Sequence, residues 1–233
     1  MDLAYLERVL GDRPAAYWPL METQGLTAFD WKGGNHGTIH GGVTLGQPSA
    51  PGLPGTAMAF DGSTGYCVAD NSADAWIQNG SMSLEMWANI PNNPSGYGFL
   101  AGIRDGNNGE FYVLQLSGTN SLETRFTNSA GTHYDFDGSP DVPTWEAATW
   151  NHGVLAYDAQ AQALTFYSNG RPVASRSATG TITASGLPIQ IGAQSGPGNF
   201  FGGTLTHVAI YPYALTPNQV QAHYFARPRD LIS

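Results

Sequence analysis

In the last third of the chain, WNHGVLAYDAQAQALTFYSNGRPVASRS sets two runs of strand character on either side of Asn169 and Gly170. An Asn-Gly pair favours positive φ at both central positions, which a two-residue type I′ hairpin turn demands. The stretch from Trp150 to Tyr224 continues with LPIQIGAQ, a loop SGPGNFFGG and the run TLTHVAIYPYAL, and then turns helical at TPNQVQAHYFA. Antiparallel strands closed by a short helix are what such a segment can form.

Thirty glycines and fifteen prolines in 233 residues point to many short strands joined by tight turns. All-β sandwiches of this length are commonly single domains, and nothing in the middle of the chain reads as a linker. Charged residues make up 12%, about half the usual share, so Ser, Thr, Asn, Gln and Gly must build most of the surface. Covering such a surface desolvates few charges, which suits an assembly or a neutral polar ligand. The net charge is −9 and Lys32 is the only lysine, so nucleic acid and anionic membrane are excluded as partners. Cys67 is alone, forms no intramolecular disulfide, and reads as a small buried hydrophobe in GYCVA.

Several stretches resemble one family. The hairpin ending in Tyr-Ser-Asn-Gly, the strand LPIQIGAQ, the Phe-Phe-Gly step into TLTHVAIY and the Ala-Leu-Thr entry to a helix resemble the laminin G-like, concanavalin A-like jelly roll. AYWPLMETQGLTAFDWKGGNHGTIHGGVTLG, MAFDGSTGYCVA and SMSLEMWANI resemble its opening strand and loop, its Phe-Asp-Gly strand pair and its central strand. The resemblance implies an antiparallel β-sandwich with a short helix at each end: an N-terminal helical arm over 1–13, a jelly-roll domain over 14–226 and a tail over 227–233. The opening YLERVLGDRPAAYWPLMETQG is also similar to the start of laminin G-like proteins of tailed bacteriophages. That similarity implies a virion protein, a capsid decoration or tail component, bound to other virion proteins or to copies of itself.

Asp2 is expected to cap a helix over Leu3 to Leu10 that stops at Gly11, with Leu3, Leu6 and Leu10 as an apolar stripe. The stripe either docks on the chain's own sandwich or packs as an arm on a neighbouring subunit. Met1 to Asp12 has no cationic flank and apolar core, so it does not read as a secretory signal, and no run reaches the ~20 apolar residues of a membrane span. In SMSLEMWANI the residues Met82, Leu84, Met86 and Ala88 share one face, and Glu85 falls on the other as a surface or edge carboxylate of a half-covered strand. Thr216, Pro217 and Gln219 spell a capping box, with Leu215 and Val220 as its hydrophobic staple.

Bond-cleaving chemistry finds no footing. Glu22, Glu85, Glu110, Glu123 and Glu146 are dispersed, whereas glycoside hydrolysis needs paired carboxylates. His36, His40, His133, His152, His207 and His223 lack metal-ligand spacing. DWKGGNHG, from Asp30 to Gly37, is an oxygen-rich loop of the kind that can hold calcium; a solvated turn is its other reading. Binding is the better fit, because sugars stack on aromatic rings while amides and carboxylates meet their hydroxyls. The candidates are Tyr97 beside Asn92 and Asn93, Asn107 and Asn108 beside Phe111, Tyr134 beside Asp135 with Asp137 on the same face, and Phe200 beside Asn199. Each ring can equally plug an end of the sandwich. The sequence thus reads as a non-enzymatic virion jelly roll meeting host-surface glycans, with a free-standing carbohydrate-binding module and a glycoside hydrolase as alternatives.

Overall fold

A computed structural model describes residues 3–72, 80–104, 110–137, 142–182 and 187–227. In chain order they form helix α1 (Ala4–Gly11) and strands β1 (Ala16–Trp18), β2 (Thr27–Ala28), β3 (Gly37–His40), β4 (Val43–Pro48), β5 (Thr56–Phe60), β6 (Tyr66–Ser72), β7 (Met82–Asn89) and β8 (Gly98–Ile103). Then follow β9 (Phe111–Gln115), β10 (Leu122–Thr127), β11 (His133–Phe136), β12 (Trp150–Asp158), β13 (Ala163–Ser168), β14 (Arg171–Ser177), β15 (Pro188–Ile191), β16 (Thr204–Tyr211) and helix α2 (Pro217–Phe225). One sheet runs β14-β13-β12-β7-β16-β5-β4, with β1 also pairing to β16, and the other runs β11-β10-β9-β8-β15-β6-β3-β2. Every pairing between named strands is antiparallel, as the sandwich expectation requires.

The Asn-Gly turn is where the sequence put it. Asn169 and Gly170 sit at φ 51° and 79° between Ser168 and Arg171, which face each other in the β13–β14 ladder. A Cβ on Gly170 would come within 2.9 Å of Tyr224 in α2, so the same glycine lets the hairpin approach the terminal helix.

Between the sheets, Met82, Leu84, Met86 and Ala88 of β7 meet Leu100, Phe111, Val113, Phe126 and Ile191 in the main core. Cys67 lies in that core at 1% exposure, and burial pushes its thiol well above the usual range. A second apolar layer covers the outer face of the first sheet. There Tyr5, Leu6 and Val9 of α1 and Val220 of α2 pack with Trp87, Val154, Ala209 and Tyr211.

This second layer corrects one expectation and decides between two others. β7 is covered on both faces, so Glu85 is fully buried and is no surface carboxylate. α1 docks on its own sandwich, as the first of its two readings has it, but the buried face is Tyr5, Leu6 and Val9 rather than the Leu3, Leu6 and Leu10 stripe, and Leu3 is 45% exposed. α1 begins at Ala4 with Leu3 as a cap that offers no side-chain bond and ends with Asp12 as its C-cap. Asp2 lies outside the described residues. At α2 the capping box is complete, and both Leu215 and Val220 are buried in the second layer.

Candidate functional site

Asp61 directly follows β5, and its side chain builds a turn. Oδ1 accepts from the backbone N–H groups of Ser63, Thr64 and Gly65 at 2.8–2.9 Å, and Oδ2 accepts from the Thr64 hydroxyl at 2.8 Å. These donors, Thr64 foremost, hold the Asp61 carboxyl well below the usual range although it is exposed. Gly62 then passes Gly202 so closely that a Cβ on either would lie 3.2–3.3 Å from the other's Cα.

A second wall comes from the loop before β8. The Asn93 N–H donates to Asn120 Oδ1 at 3.0 Å, and Asn120 Nδ2 donates to Asn92 Oδ1 at 3.2 Å, so both asparagines brace the loop. The third wall precedes β16, where Asn199 Nδ2 donates to Gln194 Oε1 at 2.7 Å and the Phe99 N–H to the Asn199 carbonyl at 2.7 Å.

Together these walls enclose an open groove of about 530 Å³, lined among others by Asp61, Ser63, Ser95, Tyr97, Gln115 and Phe200. Tyr97 is 49% exposed and Phe200 is half-buried. Gln115 is fully buried; its Nε2 donates to the carbonyls of Pro91 at 2.9 Å and Thr119 at 3.2 Å. Two carbonyl partners fix which end of the amide is nitrogen. Gln115 Oε1 is consequently left without a hydrogen-bond partner, a costly state for a buried acceptor.

Of the residues expected from sequence, Tyr97 and Phe200 meet at this groove. Asn107 and Asn108 lie outside the described residues, and Phe111, their supposed aromatic neighbour, is in the main core. Tyr134 stacks on Phe126 at 5.6 Å and bonds Thr179 Oγ1, plugging the sandwich edge. Asp135 turns to the other face of β11, where both its oxygens bind Arg125 at 2.8 and 3.0 Å, and Asp137 follows the strand's end. Arg125 also faces Glu123 at 3.3 Å and Glu110 at 3.6 Å, so one guanidinium serves three carboxylates. Asp61 and Gln115 escaped the sequence reading. The turn signature Asp-Gly-Ser-Thr-Gly carried a signal for the first, and nothing local marks the second.

Asp30 organises its loop rather than presenting itself. Oδ1 takes the N–H groups of Tyr17 and Lys32, and Oδ2 takes the backbone and side-chain N–H groups of Asn35, at 2.8–3.2 Å. Among the described residues no cluster of three or more His, Cys, Asp or Glu side chains is placed to hold a metal ion.

A second polar constellation lies beneath the helices. Glu85 accepts from Tyr5 at 3.0 Å, Tyr211 at 2.7 Å, His152 at 2.7 Å and His223 at 2.9 Å. His223 faces Glu85 through Nδ1 and Asp12 through Nε2 at 2.8 Å, and a ring with a carboxylate at each nitrogen donates twice only as imidazolium. Burial works against charge on both partners. The cation of His223 and the bonds from His152 and His223 outweigh it and hold the Glu85 carboxyl well below its ordinary value. The two carboxylates in turn raise His223. This network joins α1, α2 and the sheet; Glu85, His152 and His223 are buried, and Asp12 at its edge is partly exposed.

The family model of the concanavalin A-like lectin/glucanases superfamily matches residues 61–221. The chain belongs to that superfamily. Its matched span begins at Asp61 and takes in every wall of the groove. No curated protein matches the sequence. Among solved structures, the binding domain of Paraclostridial Mosquitocidal Protein 1 superposes with a TM-score of 0.70 at 15% identity, over 92% of this chain and 52% of that one. The binding domain of Botulinum Neurotoxin DC in complex with SialylT gives 0.69 at 13% identity, over 93% and 52%. Trypanosoma rangeli sialidase with 2,3-difluorosialic acid gives 0.64 at 15% identity, over 94% and 33%. The chain spans between a third and about half of these structures, and at such identities the likeness is one of fold.

Proposed function

We propose that this superfamily member is a non-enzymatic binding module that takes a neutral saccharide in the groove between Asp61, Tyr97, Gln115 and Phe200. One observation carries the reading: two partly exposed rings, Tyr97 and Phe200, line one groove together with Gln115, whose buried amide oxygen has no partner. Rings of this kind stack on the CH faces of a sugar, and a sugar hydroxyl supplies the donor that Gln115 Oε1 lacks. The groove lining holds no cationic side chain among the described residues, which favours an uncharged ligand. The toxin binding domain in complex with SialylT supports a saccharide as ligand, as a property of that protein; its sialyl group is anionic, so the neutral character proposed here rests on the groove lining alone.

Support for a non-enzymatic role is chemical. In most glycosidases, cleavage uses two carboxyl groups about 5 to 9.5 Å apart, one able to carry a proton. Asp61 is the single carboxylate in the groove lining among the described residues, and donors that favour its ionised form occupy both its oxygens.

A neutral-glycan array followed by calorimetric titration tests the reading. Tyr97→Ala should weaken binding to any hit about tenfold, the size of one stacking contact, without changing the melting temperature. An array with no hits, or a hit indifferent to Tyr97→Ala, removes it. The setting we propose is a bacteriophage virion, as capsid decoration or tail component. What supports it is the similarity of the opening sequence to phage laminin G-like proteins, and mass spectrometry of purified particles that lack the chain would end it.

A further inference from the structure

We infer that the groove is one end of a longer site, and that its ligand is a linear oligosaccharide whose next residue lies over Tyr66 and His40. The inference rests on the saccharide reading above. His40 in β3 and Tyr66 in β6 stand opposite each other in the ladder, and their rings stack 4.7 Å apart at 16°. Their neighbours Ile39 and Cys67 point into the main core, so these two rings project from the outer face of the second sheet. His40 is exposed and Tyr66 half-buried. Tyr66 in turn lies 6.2 Å from Phe200, which lines the groove.

The rings therefore make an unbroken path from the groove onto the sheet. A cross-strand aromatic pair stabilises a sheet wherever it occurs. Continuity with the groove is what a merely stabilising pair would not need. The path is also rigidly joined to the groove wall. The Asp61 turn ends at Gly65, the residue before Tyr66, and a Cβ on Gly65 would sit 2.5 Å from the Gly42 carbonyl oxygen in the neighbouring turn. A ligand that reached Tyr66 would thus meet a surface already fixed in relation to the Asp61 wall of the groove, and preorganisation of this kind lowers the cost of binding a longer chain.

Cello-oligosaccharides and chito-oligosaccharides of one to six residues, together with stepwise-trimmed forms of any neutral array hit, are titrated by calorimetry into the whole chain and its variants. Affinity should rise several-fold once the ligand is longer than the disaccharide. Tyr66→Leu, which keeps apolar bulk, and His40→Ala should each remove that rise and leave the affinity for the shortest binding ligand unchanged. Tyr97→Ala should weaken every length alike. Affinity that is flat with length, or a rise that survives both variants, overturns the extended site and leaves the groove reading intact. No binding by any saccharide overturns the groove reading itself. Should Tyr66→Leu fail to fold, the length series and His40→Ala still decide.

Discussion

Glu85 is the side chain on which the architecture is most exposed to single-residue change. Glu85→Gln keeps the shape but leaves His223, still facing Asp12, without its main counter-charge. Breaking a buried pair from one side costs about 3–5 kcal/mol. Urea denaturation should show a loss of that order; a loss below about 1 kcal/mol would mean that His223 enters the fold uncharged. The alternation of SMSLEMWANI did reveal which residues of β7 face the sheet-to-sheet core. It gave no means of knowing that the opposite face is roofed, because the roof comes from Tyr5 and His223, 80 and 138 residues away in the chain. The groove was half legible for the same reason. Tyr97 and Phe200 announce themselves as loop aromatics. Gln115 acquires its meaning only when Pro91 and Thr119 take its two N–H groups.

At the scale of elements, the two best-marked signals behaved as local chemistry requires. Asn169-Gly170 dictated a turn that no distant contact had to impose, and Thr216 to Val220 dictated the start of α2. Thr216→Ala should remove the bond to the Gln219 N–H and cost about 0.5–2 kcal/mol, read as a lower melting temperature. α1 behaved differently, because its sequence periodicity admits several faces and docking selects one. Leu3 and Leu10 look equivalent to Leu6 in the sequence, yet the face that meets the sheet is Tyr5, Leu6 and Val9. Val9→Ala, at a fully buried position, should therefore destabilise by about 1–3 kcal/mol, whereas Leu3→Ala should change stability by less than about 0.5 kcal/mol. Equal losses would show that the helix docks with another face.

For the molecule as a whole, the buried histidines set the pH response. Burial lowers His207 to about 3 and lowers His152 from 6.5. Both stay neutral in the folded chain at pH values where the unfolded chain protonates them, so each costs up to about 1.4 kcal/mol per pH unit as pH falls below 6.5. The Glu85 contribution is complete above the ordinary carboxyl value of 4.5 and is lost as pH falls through its depressed pKa. His223 has the opposite sign: its contribution is complete below 6.5 and is lost as pH rises through its raised pKa. Thermal melts should therefore peak near pH 6.5, falling steeply on the acid side and more gently on the alkaline side until the raised pKa of His223 is passed. A melting temperature unchanged from pH 7 to pH 4.5 would contradict this balance.

α1 and α2 touch through His223 and Asp12 on the same outer face of the first sheet. The first and last helices of the described chain are accordingly clasped to one another as well as to the sheet. Pulling either helix off the sheet must therefore break the bond that ties it to the other, so the two should lift as one piece.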